Sequence, residues 1–535
     1  MNEQKHPVAG VSTGVASVRR RRLLQAGAGS LLLPYGAAFA QSATALLRAP
    51  KHALVIGNSK YAVSPLKNPA NDARAIAEQL KGVGFAVSVQ QDLGREPMIK
   101  SIRAYAALLA KSRSVGLFYY AGHGVQLSWR NFLVPVDAVI DKLEDIQKHC
   151  VDVGALVDGI TKAANPMNVV ILDACRDNPF GSTRRLDQKG LSQLDAPPGT
   201  LLAYATSPGN VASDGEGANG LYTENLLREL KVPEAKIEDV FKRVRLGVRR
   251  KSNGQQIPWE STSLEEDFYF RPPEHLKKLS EDEKKKLFEE ELRLWESIKS
   301  SKVPGPLEDY LRRYPNGEFA ELAQLALDTV LAREGEKRIE IQSQAGNPYT
   351  QGYARADTNY KVGDFYRFRV LDIETKSEKR VLRGEVKEVT DDEVIFGGGL
   401  VLDRMGNTKR TADGFRFTDN QNMPLEFSIG KKWTTQFRTF PPNVPAHIRV
   451  MTEVEYKIVA REKVQVPAGS FDCFRVEGRG SSISPASRTD LQDVAWYAPE
   501  KVRRFVARDF TRKSAPRSPV PSVAERMELV AFKQG

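Results

Sequence analysis

Two stretches of the chain carry a reactive side chain at the end of an apolar run. One reads Val115-Gly116-Leu117-Phe118-Tyr119-Tyr120-Ala121-Gly122-His123-Gly124, the other Val169-Val170-Ile171-Leu172-Asp173-Ala174-Cys175. An imidazole and a thiol together make a nucleophile and its base. A free thiol, with a pKa of about 8.5, is mostly protonated at neutral pH. A neighbouring imidazole takes that proton and later returns one to a leaving group. The glycines beside His123 let another backbone approach closely. The amides of Gly124 and Cys175 are the candidates to face a developing oxyanion, where one donor contributes roughly 3–4 kcal/mol.

Such a pair works only if the fold brings it together. Continuous apolar runs at His52–Ile56, Val115–Tyr120, Val169–Leu172 and Leu201–Ala205 suit strands buried on both faces. Helical spacing at Asn71–Leu80 and Ile99–Leu109 separates them. Strands alternating with helices predict an α/β domain over 51–270 with a mostly parallel sheet flanked by helices. Reactive groups in such sheets collect outside the carboxyl ends of the strands, so His123 and Cys175 are expected on one edge. Their separation of 52 residues leaves room for a crossover to a neighbouring strand.

The rest of the chain divides by composition. Residues 271–340 are a charged helical segment with a stripe at Phe288, Leu292, Trp295 and Ile298, broken at Pro304-Gly305-Pro306. Residues 345–535 read as a β-rich domain, because Tyr366, Phe368, Val370 and Val454, Tyr456, Ile458 alternate with polar neighbours. A small barrel or sandwich is expected there, with no catalytic grouping and no partner that the sequence identifies.

The first forty residues resemble a twin-arginine export signal. Arg19–Arg22 precede a short apolar run, and Ala38-Phe39-Ala40 forms a small-residue cleavage site. That run is short of the roughly 20 residues a membrane span needs, and no later segment of the mature chain supplies them. The expectation is an exported chain, periplasmic or secreted. The net charge is +12, yet no compact basic tract follows the leader, so nucleic acid is not expected as a partner. Three cysteines, Cys150, Cys175 and Cys473, exclude a disulfide scaffold and lack metal-site spacing.

Tyr120-Ala121-Gly122-His123-Gly124 and Asp173-Ala174-Cys175-Arg176 resemble the His and Cys motifs of the caspase/metacaspase clan. Ala203-Tyr204-Ala205-Thr206-Ser207-Pro208-Gly209 and Gln256-Ile257-Pro258-Trp259 are similar to bacterial caspase-like domains. The resemblance covers residues 51–270. It implies a cysteine endopeptidase with His123 and Cys175 as its dyad and no cofactor required for the chemistry. Caspases proper carry Gln where this chain has Asp173. Metacaspases use acids near this position, which implies that Asp173 and Asp214, with Asp72 as a third candidate, bind a basic side chain. Helix-start capping is the other reading of Asp72, with equal weight. Arg pairs bidentately with carboxylates, so cleavage after Arg or Lys in protein or peptide substrates is expected. Arg184-Arg185 and Lys189 would then be autoprocessing sites. Calcium is the candidate metal, with Asp137 and Asp152 roughly where the family places acidic ligands. The alternative reading is a catalytically silent caspase-like binding or regulatory module of the cell envelope.

Overall fold

A computed structural model of the chain describes residues 46, 48–175, 190–208, 217–273, 281–336, 346–442, 450–484, 487–514 and 521–535. The predicted leader, Asp214, Arg185 and Lys189 lie outside these residues.

The sheet grows from β1 (Lys51–Gly57), followed by α1 (Pro69–Lys81), β2 (Ala86–Gln91), α2 (Arg95–Ser112) and β3 (Val115–Leu127). Then come β4 (Arg130–Leu133), α3 (Leu143–His149), β5 (Val151–Asp152), α4 (Val153–Lys162) and β6 (Met167–Cys175). The unit closes with β7 (Thr200–Tyr204), α5 (Leu221–Glu229), α6 (Ile237–Lys251) and β8 (Trp259–Thr262). The main strand order is β2-β1-β3-β6-β7-β8. Pairing is parallel from β2 through β7, and β8 joins antiparallel at the edge.

Alternation along the strands assigns the two faces. Leu54, Ile56, Phe118, Tyr120, Val170, Leu172, Leu202 and Tyr204 pack with Met98, Ile102, Tyr105 and Leu109 of α2 and with Val153, Leu156, Val157 and Ile160 of α4. The opposite face carries Tyr119 and Asp173, both bonded to Thr223 of α5. Strand order reverses at β1, because β2 lies on one side of it and β3 on the other. The crevice at the carboxyl ends of β1 and β3 is where such sheets build sites.

Helices α7 (Glu281–Ile298), α8 (Pro304–Arg313) and α9 (Ala320–Arg333) follow. Pro304 opens α8 at its first turn, where the missing N–H costs nothing. The predicted stripe is buried at Phe288, Leu292 and Trp295, and it packs with Leu246 of α6 and with Met405 and Leu425 from the next region. The helices thus lie between the α/β unit and the β-rich one.

The β-rich region starts with β9 (Tyr353–Arg355), β10 (Phe365–Asp372), β11 (Glu378–Val389), β12 (Glu393–Phe396), β13 (Val401–Asp403) and β14 (Thr408–Arg410). It continues with β15 (Arg416–Phe417), β16 (Glu426–Ser428), β17 (Lys432–Phe440) and β18 (Val450–Val466). It ends with β19 (Gly469–Ser484), β20 (Ser487–Tyr497), β21 (Phe505–Ser514) and β22 (Val523–Lys533). Twelve of these strands close into a barrel, with β22 returning to pair with β10, while β9 and β16 form a separate ribbon. Closure removes the free edges that an open sheet would present. Tyr366, Phe368, Val454, Tyr456, Ile458, Phe474 and Val476 contribute to the core.

Ala49–Gly535 form one compact unit. Ion pairs explain why the parts do not separate. Arg249 of α6 binds Asp328 of α9 at 2.6 Å and Glu336 at 3.1 Å, and Arg355 of β9 binds the same Asp328. Arg245 of α6 pairs with Glu260 of β8 and reaches Glu426 of β16 at 3.4 Å. No helix among the described residues is long and apolar enough to cross a membrane.

Candidate active site

Register alone sets the pair. β3 and β6 run parallel, and their pairing places Gly122 opposite Ala174 and His123 opposite Cys175. Partners on neighbouring strands are roughly 5 Å apart along the hydrogen-bonding direction. The His and the Cys of the two motifs are therefore neighbours on one sheet edge.

The imidazole is held from several sides. The His123 amide donates to the Tyr61 hydroxyl at 2.9 Å. The His123 carbonyl accepts from the Tyr120 hydroxyl at 2.8 Å and from the Val134 amide at 3.0 Å. The Tyr61 ring stands 4.4 Å from the imidazole, centroid to centroid. Gly122 has φ +156°, and a Cβ there would fall 2.6 Å from both the Tyr61 and the Tyr120 hydroxyls. Only glycine lets the strand pass those two hydroxyls just before His123.

His123 Nε2 lies 2.7 Å from the Ser64 carbonyl oxygen. A carbonyl can only accept, so Nε2 carries the hydrogen, and in the neutral ring the lone pair sits on Nδ1. Ser64 belongs to the turn after β1 and takes φ +55°. It orients the base by its backbone, and nothing about a serine at that position signals this from sequence.

A second cluster surrounds Asp173, two residues before Cys175 on β6. Thr223 Oγ1 donates to Asp173 Oδ2 at 2.7 Å, and the Tyr119 hydroxyl lies 2.6 Å from Thr223 Oγ1 and 3.3 Å from Asp173 Oδ2. Thr223 has one hydrogen and gives it to Asp173, so it accepts from Tyr119. Burial, then the charges of Asp173 and Asp72, push the Tyr119 phenol well above its ordinary value and keep it a donor. Asp72 sits in the first turn of α1, but its carboxylate serves another helix. It accepts from the Asn219 side chain at 2.8 Å and from the Gly220 amide at 3.1 Å, at the start of α5. A carboxylate at a helix N-terminus complements the exposed amides there. Asp72 and Asp173 thus both meet the first turn of α5. Tyr119, Thr223 and Asn219 were not among the sequence candidates, because the contacts that define them span 50 residues or more.

The two candidate calcium ligands have other partners. Asp137 Oδ1 accepts the Arg95 amide at the start of α2 at 2.9 Å. Asp152 caps α4 through the Gly154 amide at 2.8 Å and pairs with Arg130. Calcium takes six to eight oxygens. Among the described residues no group of three or more His, Cys, Asp or Glu side chains is placed to hold a metal, so these two aspartates alone do not make a calcium cage. A cleft of about 1070 Å³ opens elsewhere, between α6, α9 and the β-rich region. Its charged walls include Arg249, Asp328 and Arg355, already paired with one another, so it belongs to the interface and not to the dyad.

Comparison with known proteins finds similarity over the α/β unit. A family model described as the caspase domain matches residues 50–269. Human mucosa-associated lymphoid tissue lymphoma translocation protein 1 is 30% identical over 191 residues, which are 34% of this chain and 22% of that protein. Mouse caspase-1 is 22% identical over 237 residues, 41% of this chain and 59% of that protein. The crystal structure of caspase-1 from Spodoptera frugiperda aligns with 42% of this chain and 93% of its own, at 17% identity and a TM-score of 0.33. The chain therefore spans about a fifth of the human relative's length and little more than half of the mouse caspase's. Residues 50–269 are thus similar to caspase domains.

Proposed function

We propose that this chain is an exported cysteine endopeptidase that cleaves after Arg or Lys. The observation that carries the reading is the β3–β6 register, which pairs His123 with Cys175 while the Ser64 carbonyl holds the imidazole by Nε2. The base then has its lone pair on Nδ1 for the Cys175 thiol. Proton transfer yields the thiolate, which adds to the scissile carbonyl. The Gly124 and Cys175 amides stabilise the oxyanion, and the imidazolium returns the proton to the leaving amine. Water, deprotonated by His123, hydrolyses the acyl-enzyme and frees Cys175. The Ser64 carbonyl accepts from Nε2 throughout, so it stabilises the imidazolium as well as the tautomer.

Asp173 and Asp72, with Asp214, form the basic-residue pocket in this reading. Two carboxylates at the start of α5 suit a guanidinium or ammonium and repel an aspartate side chain. The leader directs export, and Arg185 and Lys189 are sites of self-cleavage.

The test uses short fluorogenic peptides ending in Arg, Lys or Asp, with and without calcium, on the full chain and on Cys175→Ala. Release after Arg or Lys that Cys175→Ala abolishes is the expected result. Release only after Asp would remove the assigned roles of Asp72 and Asp173. No release under any condition would favour the silent binding module. Cleavage at Arg185 or Lys189 in the active protein, and not in Cys175→Ala, is the pattern self-processing requires.

A further inference from the structure

The chain from Leu191 to Ala196 runs between two supports. On the peptidase side, Ser192 is tied to the β3–β4 hairpin. Its amide donates to Asn131 Oδ1 at 2.6 Å, its carbonyl accepts from Asn131 Nδ2 at 2.8 Å, and its hydroxyl reaches the Trp129 carbonyl at 2.6 Å. On the other side lies a strap, residues 346–353, which leads into the β-rich region. Asn347 Nδ2 donates to the Gln193 carbonyl at 2.6 Å, and the Asp195 amide donates to the Tyr349 carbonyl at 3.3 Å. The Thr350 hydroxyl and the Gln351 amide both donate to the Asp195 carboxylate, at 2.7 and 2.8 Å. Burial pushes the Asp195 carboxyl upward, and these two donors act against that shift. The strap ends at Tyr353, whose ring meets Trp259 of β8 edge-on at 4.5 Å, and β9 then pairs with β16.

Leu191 links this clamp to the dyad. It is fully buried and lies against Gly124. A Cβ on Gly124 would fall 3.2 Å from Leu191 Cδ2 and 2.8 Å from the Ala174 methyl. Gly124 follows His123 and Ala174 precedes Cys175, so Leu191 fills the space behind both backbones. Its own place depends on the residues after it, and the strap binds two of those, Gln193 and Asp195. The β-rich region thereby reaches the dyad through one continuous set of contacts.

We propose that the strap is a positioning element of the peptidase site, so that the C-terminal half of the chain helps set the alignment of His123 with Cys175. This rests on the cysteine-peptidase reading above. Misplacing reacting groups by about 1 Å costs on the order of 100-fold in rate. A loosened strap would let Leu191 shift without removing any group that touches substrate.

The experiment compares the full chain with Asn347→Ala/Thr350→Ala and with the conservative Thr350→Ser. It reads kcat and KM on an arginine peptide, the melting temperature, and the rate at which iodoacetamide alkylates Cys175 as a function of pH. Burial pushes the Cys150 and Cys473 thiols up to about 12, so neither competes near neutral pH. The double variant is expected to lose about tenfold or more in kcat with KM within about twofold, and to alkylate with a profile moved to higher pH. Thr350→Ser is expected to match the parent. An unchanged kcat and alkylation profile in the double variant, whatever its melting temperature, would overturn the proposal. If the parent cleaves no peptide, the endopeptidase reading fails, and the alkylation profile alone then decides the strap's role.

Discussion

Replacing Thr223 by Val removes one hydroxyl and keeps the volume. In the parent, Thr223 donates to Asp173 Oδ2 at 2.7 Å and is itself fully buried. A hydrogen bond to a charged group contributes about 1.5–3 kcal/mol, and about 1.4 kcal/mol is tenfold in an equilibrium. If Asp173 lines the proposed basic pocket, full loss would weaken recognition of a basic side chain by roughly 10- to 100-fold. The Tyr119 hydroxyl, already 3.3 Å from the same oxygen, can turn to donate directly and offset part of this. The expected result is a fall of about tenfold in kcat/KM for arginine peptides, carried by KM. Adding Tyr119→Phe should deepen it, and Thr223→Ser should restore it. A merely structural role would lower kcat for every substrate alike and would leave the preference for Arg unchanged. If kcat/KM for arginine peptides stays within about twofold of the parent in Thr223→Val, Asp173 does not depend on Thr223 and the argument fails.

Two further outcomes concern the rest of the chain. Burial, with the nearby carboxylates of Glu291 and Glu453, pushes Glu318 up to about 8, while the Gln436 amide donates to it at 2.5 Å. The folded state then holds a proton that the unfolded state loses near 4.5, so stability falls as pH rises from about 4.5 to 8, by at most about 1.4 kcal/mol per pH unit from this group. Melting temperatures across that range should show the decline, and Glu318→Gln should flatten it. Asp328→Asn leaves Arg249 and Arg355 without their shared carboxylate at the junction of α6, α9 and β9. Breaking such a partly buried network should cost about 3–5 kcal/mol in a denaturant titration, and a cost under about 1 kcal/mol would show that the pairs are screened like surface ones.

The sheet was legible because its central strands are buried on both faces, so runs such as Val115–Tyr120 stand out without any partner being known. The same runs ended at His123 and Cys175, which marked the edge to inspect. Strand and helix ends moved by a few residues, as with α2, which starts at Arg95 ahead of the helical pattern at Ile99. Asp72 illustrates the limit. Its position near a helix start left capping of its own helix and a place in the pocket equally open, and only the fold shows its carboxylate meeting Gly220 of another helix 148 residues away.

By itself the sequence determined which residues could react and which segments had to be buried, because side-chain chemistry and hydrophobic period are local properties. Tertiary structure alone decided the partners of those groups. The Ser64 carbonyl is common to every residue type and becomes an orienting group only where β1 and β3 part. Thr223, Leu191 and the strap at Asn347–Gln351 matter through contacts between distant segments. Barrel closure likewise depends on β22 meeting β10 across more than 150 residues, a pairing that period-two alternation permits but does not specify.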